Sequence, residues 1–239
     1  MDFLSGFSGF SWASLVEILT SATGWGMIFS LVILEGLLST DNAMVLAVMV
    51  EHLPEKQRKR ALIYGLWGAY GFRFLAIGFL TILVKLSFIK ILGAGYLAYL
   101  TIMHFVKDED EQAKKLNYGF WKTVMMVEVM DVVFSADSIL ASLAVSDKVW
   151  ILLIGGMLGI LMMRGVAQLF IKIMEKVPEF KDTAYVIIGF IAFKMGLAIF
   201  EIHMPESVFI GVMAVLLGGT VALNKYKANK QSKIVKTAV

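Results

Sequence analysis

Two stretches decide how this chain reads: Glu35-Gly36-Leu37-Leu38-Ser39-Thr40-Asp41-Asn42, and Asp131-Val132-Val133-Phe134-Ser135-Ala136-Asp137-Ser138 with Glu128 one helical turn ahead of it. Aligned on the shared Ser-x-Asp core, Glu35 falls on Asp131 and Asn42 on Ser138. Each phrase lies inside an apolar stretch long enough to cross a bilayer. An acid near the middle of such a helix costs roughly 2.5–3.5 kcal/mol on insertion scales, so acids kept there usually mark an ion or proton path. Two matched sets point to one polar site shared by two halves of a transporter.

The surroundings agree with a membrane setting. Of 239 residues, 59% are apolar and only 17% charged, and the mean hydropathy is +0.78, which excludes an ordinary soluble domain. There is no cysteine, so disulfides, thiolate metal sites and thiol nucleophiles are all ruled out. His52, His104 and His203 fall at expected helix ends or in loops, which argues against a His-rich zinc or copper site. The N-terminus lacks the positive region of a secretory signal, its first basic residue being Lys56.

Apolar length predicts spans at 26–50, 61–84, 88–106, 120–146, 149–173, 183–201 and 207–224. Pro54, Pro178 and Pro205 fall between them, and Trp25, Trp121 and Trp150 stand at span starts as interfacial anchors. Residues 1–25 form a lead-in, in which 11–20 reads either as a short interfacial helix anchored by Trp12 or as a loose polar segment. Alternate loops hold Lys56, Arg58, Lys59 and Arg60; Lys107, Lys114 and Lys115; and Lys172, Lys176 and Lys181. The 225–239 tail adds five more lysines, whereas the opposite loops have only Lys85, Lys90 and Lys148. This bias places the N-terminus outside and the basic tail in the cytosol, in the plasma membrane. The mixed-charge run at 107–118 reads as a solvated cytosolic loop.

The repeat extends past the acids. Gly65-x2-Gly68-x4-Arg73 recurs as Gly156-x2-Gly159-x4-Arg164, and Gly95-Tyr-Leu-Ala-Tyr as Gly189-Phe-Ile-Ala-Phe. The expected fold is therefore all-α and polytopic, about seven transmembrane helices. Residues 26–106 form one three-helix repeat, 119–201 a second, and 207–224 an added helix. Three is odd, so the second repeat is inverted, an arrangement that places a shared site near the midplane. The rival explanation, that small-residue spacings recur wherever membrane helices pack closely, covers one match better than an ordered series.

At about 100° per residue, Glu35, Ser39 and Asn42 form one polar stripe and Glu128, Asp131, Ser135 and Ser138 another. Asp41 and Asp137 lie off these stripes. Either they pair with Arg73 or Arg164, or the helices unwind around Ser39 and Ser135; Gly36 favours this in the first case only. Carboxylate, amide and hydroxyl oxygens are hard ligands for magnesium, calcium or manganese. The candidate metal ligands are thus Glu35, Asp41, Asn42, Glu128, Asp131, Asp137 and Ser138. Methionines nearby (Met44, Met125, Met126, Met130) read as packing. Arg73 and Arg164 read as structural partners of the acids, while Lys194 stays open as gate, counter-ion or structural partner. Because acids outnumber buried cations, the excess negative charge calls for a cation.

The two phrases, with Arg73, Arg164 and Lys194, resemble the signature of the TerC family of integral membrane proteins over roughly residues 26–224. The resemblance implies metal-ion transport, manganese efflux above all, a link to tellurite resistance in some members, and metal loading of secreted enzymes in others. The leading expectation is a secondary transporter exporting Mn2+ as substrate, with protons as coupling ion and no prosthetic group. The alternatives are a calcium or small-solute transporter, or a membrane scaffold serving secretion machinery or exported metalloenzymes. An enzyme is not expected, as neither a Ser–His pair nor His-Glu-x-x-His occurs, and nucleic acid is not implied. With no ATPase motif, active transport runs on a gradient.

Overall fold

The computed structural model describes residues 11–78, 87–106, 119–177, 179–200, 202 and 204–237. The 107–118 loop, the end of the second span (79–84), Lys85, Pro178 and His203 lie outside the described residues, as do the side chains of Lys90 and Asp137. Apolar runs punctuated by Ser, Pro and charge fold into helices: α1 (Trp12–Thr20), α2 (Ala22–Leu38), α3 (Thr40–Glu51), α4 (Glu55–Gly78), α5 (Ser87–Val106), α6 (Phe120–Leu143), α7 (Val149–Lys176), α8 (Glu179–Ile199) and α9 (Glu206–Thr237). No strand occurs among the described residues.

Among the described residues, three helices are long and apolar enough to cross a membrane by length and composition: Val149–Lys176, Glu179–Ile199 and Ser207–Asn224. The pair α1 and α2, bent by 88° at Ser21, makes a fourth if taken as one span. The acids themselves keep α6 out of this set, since Glu128, Asp131 and Asp137 sit within it. Large apolar side chains such as Phe29, Leu37, Trp67, Phe193 and Val215 stand exposed. So much exposed apolar surface suits lipid rather than water.

The 11–20 segment is a helix. Ser21 ends it and starts the next, its hydroxyl accepting from the Gly24 N–H at 3.0 Å. Trp150 Nε1 donates to the Ser11 carbonyl at 3.0 Å, and Lys148 pairs with Glu17 at 3.1 Å, so α1 is tied to the start of α7.

The first expected span, 26–50, is interrupted at Ser39, between α2 and α3. Ser39 has φ −103° and ψ 13°, sparsely populated backbone that pauses the helix for one residue. Flanking bonds survive: the Ser39 N–H donates to the Glu35 carbonyl at 2.8 Å and the Ala43 N–H to that of Ser39 at 2.9 Å. The Thr40 hydroxyl draws on the Gly36 carbonyl at 3.0 Å, a side-chain bond of the kind that bends helices. The matching span behaves differently, as α6 runs unbroken through Ser135 and Ser138.

Beyond the pause, Ala43 through Val50 are all buried. A helix apolar all round belongs inside a bundle, and α3 is packed by α7, α8, α6 and α4. Around it, α2 packs on α7 as α6 packs on α4, while α5 packs on α8 and α4 on α7. The last helix lies against α8, through the Thr183–Thr220 hydroxyl pair at 2.6 Å and Asn224 Nδ2 donating to Glu179 at 3.1 Å. It continues past the expected end at 224 to Thr237.

Ion pairs gather several connections at one end of the bundle. Arg58, before α4 turns apolar, meets Glu175 of α7 at 2.6 Å. Lys181 meets Glu51 at 3.1 Å, and a hydrogen bond of 2.8 Å joins His104 to Asp182 beside them. There, too, Lys59 and Glu55 pair one turn apart; the hydrogen bond to Lys59 and its charge hold the exposed Glu55 carboxyl below its usual range.

The chain lacks cysteine, so pairwise crosslinking tests this packing on a clean background. Cysteines placed together at Arg58 and Glu175 are expected to be joined by a short bifunctional maleimide. Cysteines at Arg58 and Lys148 are expected to stay unlinked, as read by mobility after a cut engineered between 107 and 118.

Candidate ion site

The site begins with helical spacing. Glu35, Ser39 and Asn42 fall on one face of the paused first span, and Asp131, Ser135 and Ser138 on one face of α6. The structure brings these six together around a cavity of about 20 Å³, completed by Arg73 and by Ala69, Phe72, Phe134, Ile160 and Met163. That volume holds one water-sized guest. Polar groups line it along the two acidic phrases, and apolar side chains close the rest.

Arg73 is the hub of this cavity. It is 1% exposed, yet every terminal nitrogen is used. Nη1 donates to Glu35 Oε1 at 3.0 Å and to the Ser138 hydroxyl at 3.3 Å. Nη2 donates to Glu35 Oε2 at 3.3 Å and to the Ser142 hydroxyl at 3.1 Å. This fork takes both oxygens of one carboxylate, the geometry in which guanidinium binds most strongly. The serines stay saturated, Ser138 donating to the Ser135 carbonyl at 3.2 Å and Ser142 to that of Ser138 at 2.7 Å. Ser142, 1% exposed, was missed by the sequence reading; its signal was its place one turn beyond Ser138 on the same face.

Arg164 repeats the pairing with less support. It is 3% exposed, and its Nη2 donates to Asp131, itself 7% exposed. Its Nε and Nη1 have no hydrogen-bond partner, and neither does Oε1 of Glu128, a turn before Asp131. The two ion pairs follow the repeat, Glu35–Arg73 matching Asp131–Arg164; both arginines have a buried Nε without a partner, but Arg73 uses both terminal nitrogens and Arg164 only one.

The repeated glycines make room for these charges. A Cβ on Gly156 would strike the Arg73 guanidinium, and one on Gly159 the stem of Glu35. In the other half, a Cβ on Gly68 would strike the Glu128 carboxylate, and one on Gly65 would stand 3.2 Å from Arg164 Nη2. The spacing thus serves buried side chains rather than helix contact alone. Gly36 is filled by the Met162 methyl, so its absent side chain serves packing with α7 as well as the nearby pause.

The remaining candidates stand apart. Asp41 is outside the cavity lining, in the first turn of α3, where its Oδ1 accepts from the Asn42 N–H at 2.9 Å. A carboxylate there is favoured by the helix dipole. The partners of Arg73 and Arg164 are those given above, and Asp41 is not one of them. Asp137 belongs to α6, just past Ser135. Lys194 holds its ammonium 4.2 Å over the Phe209 ring, a cation–π contact toward α9. Among the described residues, no three His, Asp or Glu side chains stand close enough to hold a metal ion together.

Among the described residues, helices without strands, an exposed apolar surface and ion pairs buried within each half fit a multi-pass integral membrane protein. Residues 20–232 match the integral membrane protein TerC family, and the chain belongs to that family. It is 53% identical over 234 residues to the uncharacterized membrane protein YceF of Bacillus subtilis, covering 94% of this chain and 91% of the relative. To YkoY of the same organism, another uncharacterized membrane protein, it is 37% identical over 195 residues, 73% of this chain and 60% of the relative. The thylakoid membrane protein TERC of Arabidopsis thaliana is 28% identical over 227 residues, 80% of this chain and 59% of the relative. No solved structure matches.

Truncating one partner of a buried ion pair strands the other charge, at a cost of about 3–5 kcal/mol. Arg73→Ala strands Glu35 and leaves two serines short, so it is expected to lower thermal stability in detergent by more than Arg164→Ala. Equal or reversed losses in a melting experiment would contradict the stronger tie assigned to Arg73.

Proposed function

We propose that this protein is a secondary transporter that exports divalent metal ions, manganese above all, from the cytosol through the cavity between its two halves. The observation that carries this reading is the cavity itself, with Glu35, Ser39 and Asn42 on one side and Asp131, Ser135 and Ser138 on the other. Hard oxygen donors of this kind suit manganese, magnesium or calcium, and manganese sheds water more readily than magnesium. Membership of the TerC family is in keeping with membrane transport or metal handling.

The proposed architecture is seven crossings, two inverted three-helix repeats and one added helix. The exchange-related packing, α2 on α7 and α6 on α4, supports it. The positive loops support an N-terminus outside the plasma membrane and a C-terminus on its cytosolic side. Inverted halves supply two near-equivalent gates to one site. Both cavity acids are paired with guanidinium groups, so loading requires at least one pair to open. Asp41 and Asp137 are proposed to complete the path as the cation enters or leaves. Protons are the economical coupling ion: acids must be ionised to hold the metal, so a proton entering from the more acidic face displaces it.

The same pairs favour a second reading, a membrane scaffold for metal loading of exported enzymes in which the buried charges only tie helices together. Metal content separates the two. Cells lacking the transporter accumulate manganese, whereas cells lacking a scaffold keep normal metal and secrete under-loaded enzymes.

Three outcomes are expected. Asp41→Ala and Asp137→Ala each abolish manganese tolerance with the protein still in the membrane; full tolerance in a well-expressed Asp137→Ala strain would break the shared path. A cysteine at Lys59 reacts with an impermeant maleimide only from the cytosolic side, and one at His203 only from outside. In proteoliposomes, Mn2+ efflux rises with an opposing proton gradient and Mn2+ binding weakens as pH falls; efflux blind to the gradient would remove the antiport step.

A further inference from the structure

The two arginines occupy repeat-related positions but are used unequally. Arg73 spends both terminal nitrogens on four hydrogen bonds to Glu35, Ser138 and Ser142, joining α2 to α6. Arg164 spends one nitrogen on Asp131; Nε is buried without a partner in both arginines, but in Arg164 the terminal Nη1 is unmet as well. The asymmetry is written in the chain. Repeat alignment carries Ser138 to Asn42 and Ser142 to Leu46, so the second arginine has no counterpart of the serine ladder. Leaving buried charged donors unmet is costly, and a fold tolerates it where the group has another state to occupy.

What faces Arg164 is an excess of acid. Glu128 and Asp131 lie three residues apart on one face of α6, and Glu128 Oε1 is itself without a partner. The Arg164 tip and Glu128 Oε1 both border the gap left by Gly65, 3.2 and 3.6 Å from where its Cβ would stand. Asp131 also lines the cavity, so it joins this cluster to the space a cation would enter.

Resting on the transport reading, we propose that Arg164, and not Arg73, is the carrier's internal counter-cation. It occupies the Glu128–Asp131 pair when no metal is bound and yields that pair to the transported divalent ion. Arg73 stays on Glu35 throughout as a fixed tie. The charge balance gives the reason. Two acids and one guanidinium leave one negative charge in the empty carrier, and a divalent cation turns this into one positive charge. The two forms then face burial costs of similar size as the halves rock. Without Arg164, the loaded form is neutral and mobile, but the empty form holds two uncompensated negative charges and is trapped.

That trap has a kinetic signature that a structural tie lacks. In proteoliposomes, Arg164→Gln is expected to preserve Mn2+/Mn2+ exchange, in which the carrier always returns loaded, and to lose net Mn2+ efflux by about tenfold or more. It is also expected to bind Mn2+ about tenfold tighter by calorimetry, because the competing internal cation is gone. Glu128→Gln combined with Arg164→Gln restores the charge balance and is expected to regain net efflux with weaker binding. Arg73→Gln is expected to lose exchange and efflux together.

Parallel loss of exchange and efflux in a monodisperse Arg164→Gln protein overturns the proposal, as does tighter binding in Arg73→Gln instead. Should Arg164→Gln not fold, Arg164→Lys decides: net efflux retained supports the proposal, and net efflux lost with exchange intact counts against a role carried by charge. Absence of any Mn2+ flux or binding in the wild-type protein would remove the transport reading itself, and this assignment with it.

Discussion

A charge in an apolar interior must be neutralised and hydrogen-bonded, or the interior will not close around it. Much of this bundle follows from that constraint. Arg73 reaches Glu35 and the α6 serines at once, stitching α2, α4 and α6 through a side chain rather than through backbone proximity. Gly156 and Gly159 on α7 are bare because Arg73 and Glu35 fill the space a side chain would take. Apolar α3 then occupies the middle, so the charged cluster lies beside a helix buried from Asn42 to Val50.

The same constraint explains why the halves, alike in sequence, are unlike in detail. The first acidic span pauses at Ser39, where Gly36, Ser39 and Thr40 offer weak helix propensity and side-chain hydrogen bonds. The second has Val132, Val133 and Ala136 at and around the matching positions and stays helical. Its polar residues are spent differently: Ser138 and Ser142 serve the arginine of the other half. One half therefore has a broken helix and an arginine with both terminal nitrogens bonded, the other a straight helix and an arginine with one terminal nitrogen unmet.

The sequence by itself determined the helical membrane class, from composition and apolar length, and the two acidic stripes, from the helical period acting on Glu35, Ser39, Asn42, Asp131, Ser135 and Ser138. It also exposed the ordered recurrence of acid, glycine pair and arginine. These are one-dimensional regularities, set by hydropathy and by 3.6 residues per turn. Only the tertiary structure decided which carboxylate each arginine takes, because a long flexible side chain can reach several partners and the choice depends on where neighbouring helices stand. It alone revealed that Ser142 completes the Arg73 site, that Asp41 turns to the α3 N-terminus instead of the cavity, and that Lys194 leans toward Phe209. It also gave the repeated glycines their meaning: a missing side chain leaves no trace in sequence of what fills its place, and here that is a buried charge.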